Sequence, residues 1–200
     1  MNLSFCLIFF SLILVSISDL RGQTRDRSFA EKLQSSLTNV EIHFSQDSSS
    51  PIFGTSKEKG QIYIGEKGQF RMDYDSGISI SSDGKTILQY DPSTRTATRS
   101  EISSDVRNHG LWSIINYQES SLATQVTEVH PNLYKVVGLV ATPVDSPIQF
   151  IFGNLYLESV KWIDSSGGTQ IFSFTKMKPL RDENRNRLIL TLPNKTRWIK

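Results

Sequence analysis

Apolar side chains recur in this chain first at helical and then at strand spacing. Between Arg25 and Val40, the residues Phe29, Leu33, Leu37 and Val40 fall at i, i+4, i+8 and i+11, with charged and polar residues between them. That spacing predicts one amphipathic helix whose stripe packs on a sheet. From residue 41 the period drops to two. Ile42, Phe44 and Gln46 alternate with polar residues, and the Ser/Pro/Gly stretch from Ser48 to Gly60 is expected to break the run. Gln61 to Ile64 reads as a short strand. Gln69 to Asp75 sets Phe70, Met72 and Tyr74 on one face and Arg71, Asp73 and Asp75 on the other, toward solvent. Ile78 and Ile80 continue the pattern. Asp83-Gly84 supplies the positive backbone angles of a tight hairpin turn, after which Thr86 to Tyr90 runs back to Asp91-Pro92.

Thr94 to Ser100 is expected to form a further strand. Between Asp105 and Ser121 the period changes again, and Val106, Leu111, Trp112, Ile114, Ile115 and Tyr117 predict a second, compact helical piece. Strands then return over Thr124–His130, Tyr134–Ala141, Gln149–Phe152, Tyr156–Asp164, Thr169–Lys178 and Arg187–Leu192, two of them joined by a turn at Asp164–Gly168. Without a fixed repeat, a coiled coil or a linker, the expectation is one mainly β domain: an antiparallel meander with two helical excursions.

The N-terminus sets the compartment. Met1 to Ile17 carries no charge, and its roughly 15 apolar residues fall short of the ~20 needed to span a bilayer. It reads as the apolar core of a secretory signal peptide at residues 1–22, which leaves a mature domain at 23–200 and implies export. The single cysteine, Cys6, lies inside that segment, so the mature chain has no thiol for a disulfide, a nucleophile or a metal. Such a domain must be held together by its core. The net charge is +2; residues 1–22 hold one Arg and one Asp, so their removal leaves it at +2. A balance this even, with the signs mixed, points away from nucleic acid and anionic membranes.

Catalytic constellations are missing. His43, His109 and His130 stand at no metal-ligand spacing from one another, and no G-x-S-x-G elbow or Gly-rich phosphate loop occurs. No enzyme activity, metal or cofactor is expected. What stands out is the number of large apolar side chains on strands, against only two short helices to cover them. A curved sheet covered so sparsely would leave an apolar concavity fit for a ligand, whereas a closed and filled barrel or sandwich would leave none.

The run GQIYIGEKGQFRMDYD followed by SDGKTILQYDP resembles the signature of the LolA family of periplasmic lipoprotein carriers. LQSSLTNVEIHFSQ is similar to that family's opening helix and first strand, LWSIINY falls where it has lid helices, and SVKWIDSSGGTQIFSFTKMK looks like its closing hairpin, followed by a last strand ending at Pro193. The resemblance implies a single, strongly curved antiparallel sheet, an incomplete and unclosed β-barrel, covered by a few short helices that act as a lid. It also implies a chaperone that shields lipoprotein acyl chains between the inner and outer membranes. Its partners would be acylated lipoproteins, an inner-membrane lipoprotein-releasing ABC transporter and an outer-membrane acceptor where one exists, and the protein would act as a monomer.

The cavity would be lined by Phe44, Ile62, Ile64, Phe70, Met72 and Tyr74, with Leu88 and Tyr90 across the Asp83-Gly84 turn. Leu111, Trp112, Ile114 and Ile115 would form the underside of the lid. Arg71, Asp83, Gly84, Lys85, Asp91 and Pro92 match the family's motif, and Arg71 is also placed to pair with Asp73 or another surface carboxylate. Two departures stand out. Glu66-Lys67-Gly68 replaces the basic residue and proline of many relatives, and Met72 replaces a tryptophan, which softens the trough. A different reading of the same fold is a lipid- or lipoprotein-sensing envelope regulator that transfers nothing.

Overall fold

A computed structural model describes residues 29–52, 54–102, 111–115, 125–138, 146–153 and 156–199. The signal-peptide segment, the first four residues of the predicted opening helix and the flanks of the second helical piece lie outside these residues. Twelve strands form one sheet: β1 (Val40–Ser50), β2 (Gly54–Ile64), β3 (Gln69–Tyr74), β4 (Ser79–Asp83), β5 (Thr86–Asp91), β6 (Thr96–Glu101), β7 (Gln125–His130), β8 (Leu133–Val137), β9 (Ile148–Phe152), β10 (Leu157–Ile163), β11 (Thr169–Pro179) and β12 (Arg197–Ile199). Helix α1 covers residues 29–37, and α2 is Leu111–Ile115. Among the described residues, no helix is long and apolar enough to cross a membrane.

The strand order is β12-β6-β5-β4-β3-β2-β1-β11-β10-β9-β8-β7. Two antiparallel meanders, β1–β6 and β7–β11, thus meet where β1 pairs with β11, and the sheet ends on β12 and β7. Laid flat, twelve strands ~4.8 Å apart would reach roughly 55 Å, far beyond what two short helices can cover. Instead, residues of β1–β3, β8–β11, α1 and α2 join in a single buried cluster, around which the sheet curls.

Register decides which side chains face that cluster. One row crosses the sheet as Ile42, Ile62, Met72, Ile80 and Gln89, and another as Gln46, Phe172, Val160, Phe150 and Tyr134. Both lie on the inner face. The alternate row of Glu41, Tyr63, Arg71, Ser81 and Leu88 lies on the outer face. α1 is laid on the β8–β9 side: the Phe29 ring stands 5.1 Å from Phe150 and 5.2 Å from Tyr134. Its polar edge is also tied down, since Lys32 Nζ donates to Tyr134 Oη at 2.9 Å and Leu157 N donates to Ser36 Oγ at 3.2 Å.

Three expectations are corrected. The Ser48–Gly60 stretch is not a break: β1 and β2 pair in register from Val40↔Ile64 out to Ser50↔Gly54. Ser48 and Ser49 also pair with β11, so ladder bonds on both sides outweigh the weak strand propensity of serine. Val40 belongs to β1, not to the helix, although it still faces the core. Arg187–Leu192 is not a strand, because Asp182–Leu188 forms a 3-10 helix. Its Arg185–Asp182 pair, at 2.9 Å and i,i+3, suits a three-residue turn.

Beyond that helix the chain finds its partners in side chains on the outer face: Arg71 Nη1 donates to Ile189 O at 3.1 Å. Arg187 Nη1 donates to Tyr63 Oη at 3.0 Å, with its guanidinium over the Tyr63 ring. Beneath this segment Glu41 is buried and held by Lys178 at 3.0 Å. The last strand the chain does form is β12, which pairs in parallel with β6.

Candidate functional site

The inner face gathers most of the residues expected to line a cavity. Phe44, Ile62, Ile64, Phe70 and Met72 are all buried there, with Ile62 1 % exposed. Tyr74 sits at the end of β3, its ring set edge-on to Phe44 at 5.3 Å. Its hydroxyl donates to Gln46 Oε1 at 2.9 Å. Burial first, and then the negative charge of Glu58, push the Tyr74 phenol up to about 12.

From the other side, α2 places Trp112 and Ile114 in the same cluster, with Leu111 and Ile115 packed against it. The concave face is therefore filled by the protein's own helices in this conformation. It is apolar from β3 through β1 to β8.

Leu88 and Tyr90 are corrected. They pair with Ser81 and Ser79, on the row of Arg71 and Asp73, and so stand on the outer face. The Asp83-Gly84 turn brings Ile87 and Gln89 to the inner face instead, a one-residue change that reverses a whole strand. Leu88 lines an outer groove of about 340 Å³ with Gln69, Arg99, Leu188 and Ile189.

Sequence reasoning missed half of the inner face. Tyr134, Val136, Ile148, Phe150, Phe152, Leu157, Val160, Phe172 and Phe174 all belong to the cluster. Alternation in Phe150-Ile-Phe152, Val160-Lys-Trp162 and Phe172-Ser-Phe174 carried the signal; Trp162 stacks on Phe172 with its ring 5.6 Å away.

The motif residues build turns. Asp83 Oδ1 accepts from Thr86 N at 2.7 Å and Lys85 N at 2.8 Å, and these bonds hold its carboxyl below the usual carboxylate range. Gly84 has φ +88°, and a Cβ there would run into the carbonyl oxygen of Lys67. Asp91 Oδ1 accepts from the side chain and backbone of Ser93, which lowers that carboxyl too, and Pro92 lies against Gly77. Arg71 pairs with Asp73 at 2.9 Å, so Asp73 is bound rather than simply solvated; Ser79 Oγ also donates to it at 2.7 Å.

Glu66-Lys67-Gly68 forms the turn between β2 and β3, with Lys67 and Gly68 at positive φ. Glu66 Oε1 accepts from Asn39 Nδ2 at 3.1 Å, which ties this turn to the junction of α1 and β1.

The sequence matches the family described as outer membrane lipoprotein carrier protein LolA over residues 35–184. No curated protein matches it significantly. Among solved structures, it is similar to an uncharacterized conserved protein from Thermus thermophilus, with 10% identity and a TM-score of 0.54 over 88% of this chain and 98% of that one. It is also similar to a LolA superfamily protein from Nitrosomonas europaea, with 13% identity and a TM-score of 0.45 over 78% and 93% of the two chains.

Proposed function

The chain belongs to the LolA family, whose outer membrane lipoprotein carrier pattern it matches over residues 35–184, and on that footing we propose that it is a periplasmic chaperone for acylated lipoproteins. It would receive them from an inner-membrane releasing transporter, shield their acyl chains on the concave face and pass them to the outer membrane, without catalysis. One observation carries this reading: a continuous apolar face on an unclosed sheet, covered by only two short helices among the described residues. Such a face can exchange one apolar cover for another, which a closed barrel filled by its own strands cannot.

Magnitudes favour the exchange. An acyl chain of about 15 methylenes at ~0.8 kcal/mol each gains roughly 12 kcal/mol on leaving water. Re-exposing Trp112 and Ile114 of α2 costs about 1.5–3 kcal/mol each, and the half-buried Leu111 and Ile115 add less than that apiece. A single chain therefore outweighs the packing of α2, while that packing lowers the net affinity and helps release. Met72 in the floor of the trough can re-pack around chains of differing shape.

The test is binding of a diacylated lipopeptide and of the same peptide without its lipid, followed by titration calorimetry. Saturable binding of the acylated form alone supports the carrier. Equal binding of both, or of neither, overturns it.

A further inference from the structure

The inner face changes character along its strands. Toward the tip of the β1–β2 hairpin, the inward positions turn polar on neighbouring strands at once. Phe44 gives way to Gln46 and Ser48 on β1, Phe172 to Gln170 on β11, and Ile62 to Glu58, two inward positions along β2; β3 ends there on Tyr74.

These side chains bind one another in a ladder. Tyr74 Oη donates to Gln46 Oε1 at 2.9 Å, and Gln46 Nε2 donates to Gln170 Oε1 at 3.0 Å and to Ser48 Oγ at 3.1 Å. Ser48 Oγ donates to Gln170 Oε1 at 2.6 Å, and Gln170 Nε2 donates to Asp164 Oδ2 at 3.0 Å. The ladder is half-buried, and it abuts the apolar floor directly through the Tyr74–Phe44 ring contact.

Its charge is one-sided. Lys57 and Lys59 alternate onto the outer face, where Lys57 pairs with Asp47 at 3.0 Å. The charges joined to the ladder are Glu58, paired across from Gln46, and Asp164. Beyond these bonds, Gln170 Nε2 keeps one N–H to donate, while the hydroxyls of Tyr74 and Ser48 and the amide oxygen of Gln46 can still accept. An ester or amide carbonyl suits such a surface. A phosphate does not, because it would be desolvated beside carboxylates, with no cation among the ladder's own side chains to pair it.

We propose that this polar end of the concave face is a head-group subsite, selecting uncharged ester- or amide-bearing acyl heads over phosphate-bearing ones. The inference rests on the carrier reading and names its substrate class. It would let the protein load acylated polypeptide in the presence of phospholipid with the same chains.

Binding is measured by tryptophan fluorescence with three probes of matched chains: a diacylglyceryl lipopeptide with an uncharged peptide, dioleoylglycerol, and dioleoyl phosphatidic acid. Both uncharged probes are expected to bind at least about tenfold tighter than the phosphatidic acid, the equivalent of one good polar interaction. Tighter binding of the lipopeptide assigns the subsite to protein-borne heads; tighter binding of dioleoylglycerol assigns it to free lipid; both support the subsite. Glu58→Lys is expected to raise phosphatidic acid affinity about tenfold, a gain that misfolding cannot produce. Gln46→Leu with Gln170→Leu is expected to weaken both uncharged probes and so narrow the preference, which Glu58 and Asp164 still maintain in part, while chain binding persists. Equal binding of all three probes, unmoved by Glu58→Lys, overturns the subsite and leaves the carrier standing. Failure of all three to bind overturns both.

Discussion

Phe150 and Val136 are fully buried, and Phe150 is held between its strand neighbours and the Phe29 ring of α1 at 5.1 Å. Such a site cannot collapse easily. Phe150→Ala is expected to cost about 3–5 kcal/mol, read as a lower urea midpoint at constant slope. Gly84→Ala is expected to destabilise for a different reason: its φ of +88° and the approach of the Lys67 carbonyl leave no room for a Cβ. Ionisation gives a third residue-level prediction. The Tyr74 phenol sits at about 12 in the folded protein, against about 10 in an unfolded chain. The unfolded state therefore loses its proton first, and stability from this group, complete below pH ~10, falls as pH rises toward about 12. Tyr74→Phe should flatten the alkaline limb of a stability–pH profile; an unchanged limb would place the titrating group elsewhere.

Elements differ in how firmly they are anchored. β1 is paired on both sides along most of its length, whereas α2 is five residues long and sets Trp112 and Ile114 in the apolar cluster. With Trp162 and Trp198 replaced by Phe, the remaining Trp112 reports on α2 alone. Its emission is expected to be blue-shifted in the free protein, because the side chain is only 7 % exposed, and to move when an acyl chain displaces α2. Period-two alternation made β3 visible in the sequence, and the 3.6-residue stripe made α1 visible. Asp-Gly located the β4–β5 turn.

Alternation alone could not say which of the two rows on β5 faces inward, because Ile87 and Leu88 are equally apolar. Pairing with Ser82 and Ser81 settles it, and that is a tertiary fact. The β1–β2 extension was hidden for a related reason, since serine-rich strands hold through backbone pairing rather than side-chain pattern. The 3-10 helix at Asp182–Leu188 was hidden behind Arg187–Leu192, whose alternating apolar residues imitate a strand. Its placement depends on Tyr63 and Arg71, more than a hundred residues earlier.

Across the whole molecule, one apolar face serves both stability and the proposed cargo. β12 and β7 end the sheet, so the core is wrapped but not sealed, and α1 and α2 complete it from one side. That arrangement accounts for how a domain with no cysteine beyond residue 6 is held together by its core while keeping a surface for the proposed exchange of partners. Ile62→Glu sets a charge at the centre of the floor, at a position 1 % exposed. It is expected to impair folding and uptake together, whereas Glu58→Lys at the rim should leave the fold intact. The most direct measurement is release of lipoproteins from spheroplasts with an active releasing transporter, incubated with the purified mature protein. Acylated lipoproteins are expected in the soluble fraction, co-eluting with the protein, and none without it. Lipoproteins that stay on the membrane while the transporter is active would contradict the carrier reading.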